Sequence, residues 1–228
     1  MSAFFVTGSG TEIGKTFVTA ALIHELRRRG RAVAALKPVA SGFDPGRADE
    51  SDPGILLAAL GEPSSAQALE RIAPWRFRAP LSPDMAAARE KRVIDFAALV
   101  EHSRAAITAS PGTLLIEGVG GVMVPLDERH TVLDWIAALR IPAIVVTGSY
   151  LGAISHALTA LDALHSRSLA VAAIVVNETP HSGVALDETA ATIACFADGT
   201  PVITLPRLGG AHQPHAAIGR LTERLDRF

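Results

Sequence analysis

The chain of 228 residues is 49% hydrophobic and 19% charged, which suits one folded domain over residues 1–228 and excludes a disordered chain. Its net charge of −2 gives no sign of a nucleic-acid partner or an anionic membrane surface, and no apolar run reaches the roughly 18 residues of a membrane span. Cys195 is the only cysteine, and the first residues lack the basic start of a signal peptide. We therefore expect a cytoplasmic protein without disulfides.

The first predicted elements are a strand, a glycine-rich loop and a helix. Residues 3–6 are an apolar run, residues 8–16 read G-S-G-T-E-I-G-K-T, and apolar residues at helical spacing predict a helix over 15–29. In such a loop the N–H groups at the helix start bind phosphate, Lys15 supplies a cation for the β- and γ-phosphates, and Thr16 supplies a hydroxyl for Mg²⁺. The stretch therefore predicts a phosphate-binding loop.

Two other interpretations of this loop remain open. Five residues separate Gly8 from Gly14, where the usual phosphate-binding loop has four, and the glycines also resemble a dinucleotide loop of short-chain dehydrogenases. That enzyme class needs a catalytic tyrosine with a lysine four residues later, whereas Tyr150 is the only tyrosine and position 154 is Ile154. An incidental glycine turn is the third possibility. The pattern favours the phosphate-binding loop.

The next predicted strand, residues 32–36, runs directly into Lys37. Side chains just beyond the carboxyl ends of parallel strands line the ligand crevice of an open α/β sheet, so we expect Lys37 beside the phosphate-binding loop rather than on the surface before a turn. Residues 43–51, rich in Gly, Pro and Asp, are typical of a mobile loop, and Asp52 starts a short helix over 52–60. On sequence alone, the pattern slightly favours Asp52 as the cap of that helix.

A second acidic residue follows a later strand. Residues 61–80 are predicted to be irregular, a helix opens at residues 81–84, and another covers 95–110. The apolar strand 113–116 then leads into Glu117 and the small residues of a G-V-G-G run. A carboxylate in this position can hold Mg²⁺, and the small residues let the backbone approach the γ-phosphate, whereas the alternative is an ordinary strand-ending turn. We favour Glu117 as a magnesium residue.

The remaining elements continue the alternation of strands and helices. The predicted helices are 131–139, 149–167, 183–196 and one from about 214, and the predicted strands are 141–148, 170–176 and 201–205. Several strands are continuous apolar runs, which is typical of strands covered on both faces. The expected fold is α/β, with a mostly parallel, doubly wound sheet and helices on both faces, as in phosphate-binding-loop NTPases.

Three motifs taken together resemble one enzyme family. G-S-G-T-E-I-G-K-T, K-P-V-A-S-G and E-G-V-G-G occur in this order and spacing in dethiobiotin synthetases, and the resemblance runs along nearly the whole chain. It implies ATP-dependent closure of the ureido ring of dethiobiotin from 7,8-diaminononanoate and CO₂ or bicarbonate, with Mg²⁺. The expected intermediates are a carbamate and a carbamic–phosphoric mixed anhydride, and the products include ADP and phosphate.

The resemblance also implies roles for individual residues. Catalysis is expected from Lys37, Lys15 and Thr11, and Mg²⁺ ligation from Thr16, Asp52 and Glu117, so Asp52 becomes a ligand rather than a cap. The expected ATP-binding residues are Glu12, Ile13, Gly14, Lys15, Thr16, Phe17, Asp52, Glu117, Gly118, Val119, Gly120, Asn177, Pro206, Arg207 and Leu208. The expected substrate-binding residues are Ser41, Gly118, Ser149, Tyr150, Leu151 and Gly152. The amide of Asn177 can accept from the adenine amino group and donate to a ring nitrogen.

The family is a homodimer in which a helix N-terminus of the partner holds the substrate carboxylate near the interface. The matching segment here is residues 149–154, and free N–H groups at a helix start suit a carboxylate. Two positions depart from the family: Asp84 replaces a frequent His, and Tyr150 replaces a Lys of some relatives. We expect Asp84 to cap its helix and face away from the site. With Tyr150, carboxylate binding would depend on backbone N–H groups and the phenol.

Two other protein classes share parts of the pattern. A nucleotide-switch ATPase of the partitioning kind would carry a second lysine early in the loop, where this chain has Ser9, Gly10 and Thr11. A cobyrinate-type amidotransferase synthetase would need a glutaminase domain with a nucleophilic cysteine, for which the chain has no room. The switch ATPase is the main alternative.

Overall fold

Strands and helices alternate along most of the chain in the computed structural model, which describes residues 2–228. The strands are β1 (Ser2–Gly8), β2 (Val33–Leu36), β3 (Val39–Ala40), β4 (Trp75–Arg76), β5 (Thr113–Glu117), β6 (Ala143–Gly148), β7 (Val171–Asn177) and β8 (Val202–Leu205). The helices are α1 (Lys15–Arg28), α2 (Asp52–Leu60), α3 (Ala66–Ile72), α4 (Pro83–Arg89), α5 (Phe96–Ala109), α6 (Val132–Leu139), α7 (Ala153–Ser166), α8 (Leu186–Cys195) and α9 (Ala216–Leu225). Within that range, none of the helices has both the length and the apolarity needed to cross a bilayer.

The central sheet is parallel. Among residues 2–228, six strands pair in the order β2-β5-β1-β6-β7-β8, and each neighbouring pair is parallel. This confirms the predicted fold class. Because all the strands point the same way, their carboxyl ends meet at one edge, where the loops after β1, β2, β5, β6 and β7 can form a single crevice.

Both faces of the sheet are covered, as the apolar strand runs predict. Successive side chains of β1 point to opposite faces. Phe4 packs with the residues of α1, α2 and α9, whereas Phe5 packs with those of α5, α6 and α7. The Phe5 ring meets the Trp135 indole edge-on at 4.8 Å, and Trp135 Nε1 donates to Ser103 Oγ at 3.1 Å. The strands that carry these loops are therefore held in place by a packed core on both faces of the sheet.

The structure corrects or refines three predicted segments. Residues 61–80 are not irregular, because they contain α3 and the strand β4, which pairs with β3 in a separate two-stranded sheet. Residues 43–51, predicted as a mobile loop, contain 3₁₀ turns over Pro45–Glu50 that the non-helical backbone of Arg47 interrupts, and their mobility stays a prediction. The helix predicted from residue 149 begins only at Ala153, because Gly152 has a left-handed backbone with φ of 99° and ends a turn first.

Candidate functional site

The glycine-rich loop joins β1 to α1 in the manner that the motif predicts. Gly14 is the N-cap residue of α1 and has a left-handed backbone, with φ of 92°. A Cβ at Gly14 would lie 2.0 Å from Asn177 Nδ2, and one at Gly8 would lie 2.6 Å from Ile13 Cδ1. The left-handed backbone of Gly14 favours glycine, and a side chain at Gly8 would require Ile13 and the Val146 carbonyl oxygen, 3.0 Å away, to shift.

Lys15 lies under this loop. Its side chain is buried, and Nζ donates to the carbonyl oxygen of Gly10 at 2.7 Å. Burial lowers the pKa of Lys15 from 10.5 to about 8, with a further decrease from the charge of Lys37 and opposing increases from Glu117 and Asp52. Lys15 is therefore a cation that loses its proton only slightly above neutral pH.

Two carboxylates from distant parts of the chain meet at Thr16. The Thr16 hydroxyl lies 2.8 Å from Asp52 Oδ1 and 2.7 Å from Glu117 Oε1. Asp52 begins α2 and is 45% exposed, whereas Glu117 ends β5 and is fully buried. The helix cap of α2 is Ser51, whose hydroxyl accepts from the Gly54 N–H at 3.3 Å. Asp52 is thus free of the capping role that the sequence alone favoured.

Lys37 lies between the same carboxylates. Its ammonium nitrogen is 2.6 Å from Glu117 Oε1, 2.8 Å from Asp52 Oδ2 and 2.9 Å from the Gly118 carbonyl oxygen, and its side chain is 2% exposed. Burial alone would lower the pKa of Lys37, but Glu117 and Asp52 outweigh it, so the pKa is raised. Burial likewise favours the neutral form of Asp52, but Lys37 and the Thr16 hydroxyl hold the Asp52 pKa below its usual value. Lys37 is therefore a charged group at the carboxyl end of the sheet, as predicted.

This donor set suits Mg²⁺. The Glu117 Oε2 atom is buried and has no hydrogen-bond partner, although a buried carboxylate oxygen normally has one. In the described part of the chain, no three or more His, Cys, Asp and Glu side chains are grouped as metal ligands. Mg²⁺ needs no such cage, because it is usually bound by one or two carboxylates, a hydroxyl, water and the phosphates of its substrate. Asp52, Glu117 and Thr16 therefore fit a magnesium site and not a closed transition-metal site.

The G-V-G-G run after β5 packs against the phosphate-binding loop. The Val122 N–H donates to the Gly8 carbonyl oxygen at 3.0 Å, and a Cβ at Gly121 would lie 3.3 Å from the Gly10 nitrogen. The side chain of Val119 turns into the core, and Gly120 is left-handed with φ of 60°. Any contact of Val119 and Gly120 with a nucleotide therefore comes from their backbone.

A cavity of about 520 Å³ runs from the phosphate-binding loop to the ends of β7 and β8. Together with the predicted catalytic residue Thr11, it collects most of the predicted nucleotide residues that are not at the carboxylates: Glu12, Ile13, Gly14, Phe17, Asn177, Arg207 and Leu208. Asn177 Nδ2 donates to the Ile13 carbonyl oxygen at 3.2 Å, and the Arg207 N–H donates to Glu178 Oε2 at 2.7 Å. Pro206 is half-buried directly before Arg207. The cavity has the place and the lining expected of a nucleotide cleft.

The four residues of the segment predicted to bind substrate, 149–152, lie in different environments. Ser149 is buried, and its N–H and hydroxyl form a reciprocal pair with Thr179, each bond being 3.0 Å long. Tyr150 lines the cavity of about 520 Å³, where its hydroxyl lies 2.8 Å from His156 Nδ1. Leu151, by contrast, is 90% exposed, next to the exposed Gly152. The hydrogen-bonding groups of Ser149 are thus used within the fold.

Sequence reasoning missed several cavity residues. His156, Glu178, Thr179 and Ser9 all line the cleft, and Ser9 Oγ donates to Thr147 Oγ1 at 2.8 Å. His156 occupies an ordinary helix position, and only the turn that delays the start of α7 brings it to Tyr150, so no sequence signal marked it.

The other substrate candidates lie apart from the cleft. Ser41 is half-buried just after β3, and Gly118 is buried against Phe5, whose ring a Cβ at Gly118 would approach to 2.8 Å. Asp84 does not cap α4 as expected, since the N-cap residue is Ser82; Asp84 lies in the first turn and accepts a hydrogen bond from the Ser82 hydroxyl. This partner keeps Asp84 at its own helix start. The residue also lines a separate cavity of about 620 Å³ that includes none of the phosphate-loop residues.

Comparison with known proteins agrees with this geometry. The family described as an AAA domain matches residues 2–213. Among solved structures, a chain of the MinC:MinD cell division protein complex of Aquifex aeolicus is similar, with a TM-score of 0.61 at 12% identity over 100% of this chain and 95% of that one. At this low sequence identity, the similarity shows a shared fold and does not show a shared function. The fold, the loop and the two carboxylates define a nucleotide-binding protein of the phosphate-binding-loop class.

Curated relatives give a narrower assignment. Proteins named ATP-dependent dethiobiotin synthetase BioD are 50% identical in Acidiphilium cryptum, over 88% of this chain and 91% of the relative. The relative of the same name in Methylobacterium nodulans is 51% identical over 92% of this chain and 95% of its own length. The one in Caulobacter sp. (strain K31) is 52% identical over 91% of this chain and 89% of its own length. The chain belongs to the family of ATP-dependent dethiobiotin synthetases. These matches confirm the resemblance read from the three motifs and do not favour the switch ATPase.

Proposed function

We propose that this chain closes the ureido ring of dethiobiotin from 7,8-diaminononanoate and CO₂ with MgATP, at the site formed by Lys15, Thr16, Lys37, Asp52 and Glu117. The observation that carries this assignment is that two buried lysines, Glu117 at the end of β5 and Asp52 at the start of α2 come together at the carboxyl edge of the sheet. The reaction joins an anionic carbamate to a polyanion, so a site with mobile cations beside the phosphate-binding loop suits it.

The bonds formed and broken are as follows. One amine of the diamine attacks CO₂ and loses a proton, which gives a carbamate. A carbamate oxygen then attacks the γ-phosphorus of ATP, ADP leaves, and a carbamic–phosphoric anhydride forms. The second amine attacks the carbonyl carbon and loses a proton, and phosphate leaves with the former carbamate oxygen as the five-membered ring closes.

The residues of the site have distinct tasks in this scheme. The loop N–H groups bind the phosphates, and Lys15 exchanges the Gly10 carbonyl for a phosphate oxygen when ATP binds. Lys37 neutralises charge on the carbamate and the transferred phosphoryl group, with Thr11 at the exposed tip of the loop beside them. Thr16, Asp52 and Glu117 would hold Mg²⁺, which supplies charge neutralisation at the phosphates when bound.

Adenine is proposed to lie between Asn177 and the segment of residues 206–208. Asn177, Arg207 and Leu208 all line the same cavity. The Asn177 amide is held by the Ile13 carbonyl oxygen, and its own oxygen remains available to the adenine amino group. Phe17 adds apolar surface to the same cleft.

The homodimer is proposed on the exposure of apolar side chains near the site. Leu151 is 90% exposed and Met123 is 57% exposed, and both follow strand ends at the active edge of the sheet. Exposed apolar groups that form one patch beside a site are typical of an interface. The N-cap of α7 has no side-chain hydrogen bond, which leaves its helix start suited to the substrate carboxylate of a partner. Sedimentation equilibrium should give the dimer mass, and Leu151→Glu should shift it to the monomer.

One assay tests the proposed reaction. Purified protein receives MgATP, ¹⁴C-bicarbonate and 7,8-diaminononanoate, and acid-stable ¹⁴C and released phosphate are measured together. We expect one acid-stable label per phosphate, and neither signal without the diamine. A rate of phosphate release that is the same with and without the diamine would instead indicate the nucleotide-switch ATPase and would overturn the proposal.

A further inference from the structure

Lys37 occupies a position that a divalent cation would be expected to take. Its Nζ contacts Glu117 Oε1 at 2.6 Å, Asp52 Oδ2 at 2.8 Å and the Gly118 carbonyl oxygen at 2.9 Å. The contacts with Glu117 and the Gly118 carbonyl oxygen are hydrogen bonds, and the contact with Asp52 is an ion pair. The side chain is 2% exposed, so water does not compete for these contacts. Lys37 is therefore fully engaged by the carboxylates and is not directed at the nucleotide cleft.

Asp52 and Glu117 are also the proposed magnesium ligands, so the Lys37 ammonium and Mg²⁺ would compete for the same two carboxylates. Thr16 has a single hydroxyl proton and lies within hydrogen-bond distance of both Asp52 and Glu117, so it satisfies one of them at a time. Glu117 Oε2 has no hydrogen-bond partner among residues 2–228. Lys37 thus supplies the larger part of the positive charge that this pair receives.

We propose that Lys37 is the resident counter-ion of Asp52 and Glu117, and that a divalent cation must displace its ammonium from them. The displacement sends Lys37 toward the carbamate and the γ-phosphate. This inference rests on the proposed function and adds an order of events to it. The lysine that assists phosphoryl transfer is released for that task only by the metal, so a site without metal is held inactive.

The physical reason is competition between like charges. A dication bound to both carboxylates would be repelled by an ammonium within about 4 to 6 Å of it, and the repulsion is strong where water is excluded. Lysine can move away because its ammonium is a single charge on a flexible four-carbon stem. Lys15 offers a matched comparison, because it is a buried lysine of the same site whose ammonium bonds to the Gly10 carbonyl instead of the carboxylates.

Mn²⁺ binding to the nucleotide-free protein tests the proposal. The free ion is measured by electron paramagnetic resonance with wild type, Lys37→Met and Lys15→Met. We expect Lys37→Met to bind Mn²⁺ about tenfold tighter or more, in the range typical of coupling between two ligands, and Lys15→Met to gain clearly less. Circular dichroism checks that each variant is folded. An Lys37→Met variant that binds Mn²⁺ no tighter than wild type would overturn the proposal.

A measurement on the wild-type protein covers the case in which Lys37→Met does not fold. The chain contains only Lys15, Lys37 and Lys91, so acylation of each can be followed separately by mass spectrometry. We expect Mn²⁺ alone to increase acylation of Lys37 relative to the exposed Lys91. A ratio that stays constant up to saturating Mn²⁺ would contradict displacement. Neither experiment contains diamine or bicarbonate, so their failure would be distinct from failure of the dethiobiotin assay.

Discussion

Gly14→Ala provides a sharp test of how the phosphate-binding loop meets Asn177. Gly14 has φ of 92°, and a Cβ there would lie 2.0 Å from Asn177 Nδ2. The alanine would cost about 1 to 2 kcal/mol for its left-handed backbone. The clash would also break the 3.2 Å hydrogen bond from Asn177 to the Ile13 carbonyl oxygen, which is worth about 1 kcal/mol. The expected total is about 2 to 3 kcal/mol of unfolding free energy.

The control is Gly30→Ala, at the other end of the same helix. Gly30 has φ of 71°, but no atom lies within 4 Å of a Cβ built there, so this variant carries the backbone cost alone. Urea denaturation should place Gly14→Ala about 1 kcal/mol below Gly30→Ala. Since Asn177 is proposed to contact adenine, kcat/KM for ATP should fall on the order of fivefold in Gly14→Ala only, which is about 1 kcal/mol.

A double-mutant cycle decides between the clash and a general effect on the loop. In an Asn177→Ala background the obstructing amide is absent, so Gly14→Ala should become no more harmful than Gly30→Ala. The reasoning is refuted if Gly14→Ala and Gly30→Ala are equally stable and equally active with ATP in the presence of Asn177. It is also refuted if the extra loss in Gly14→Ala persists without Asn177.

Three further changes test the charged groups. Lys37→Ala should lower kcat by about 10²-fold or more, as for loss of one charge-stabilising donor, whereas Lys91→Ala on the surface should leave it unchanged. The kcat/KM for ATP should be constant below about pH 8 and fall above it, because the pKa of Lys15 is lowered to about 8 by burial and only its protonated form attracts phosphate. Lys15→Arg should remove this break. Asp84→His should leave the KM for diaminononanoate within about twofold and lower stability by about 0.5 kcal/mol, since Asp84 pairs with Ser82 at a helix start.

Each of these has a contradicting result. Near wild-type turnover in Lys37→Ala would remove Lys37 from the mechanism. A flat ATP profile from pH 7 to about pH 9.5 would show that the Lys15 proton does not govern ATP binding. A large change in the diamine KM of Asp84→His would show that Asp84 faces the substrate and not its own helix.

The parts of the site that follow directly from strand ends could be predicted from the sequence. Lys37 and Glu117 come immediately after apolar runs. Because these runs form neighbouring parallel strands, their carboxyl ends lie at the same edge of the sheet. The role of Asp52 could not be predicted in this way. Its position before Pro53 suits a cap as well as a ligand, and only the structure shows that Ser51 takes the capping role.

What could not be predicted depends on contacts between distant segments or on single backbone angles. The strands β3 and β4 have two residues each, too few for a hydrophobic period, and they form only by pairing with one another. The course of residues 149–152 depends on the positive φ of Gly152. That turn places Tyr150 in the nucleotide cleft and Leu151 on the surface, so residue type alone could not assign their roles.

The most direct test of the central claim follows an oxygen atom. In the proposed reaction a carbamate oxygen attacks ATP and leaves with phosphate, so freshly added ¹⁸O-bicarbonate in unlabelled water should place one ¹⁸O in each phosphate formed with dethiobiotin. Mass spectrometry of the phosphate after a short reaction measures this transfer. Dethiobiotin formed with unlabelled phosphate, under conditions where the bicarbonate has kept its label, would contradict attack of the carbamate on ATP at this site.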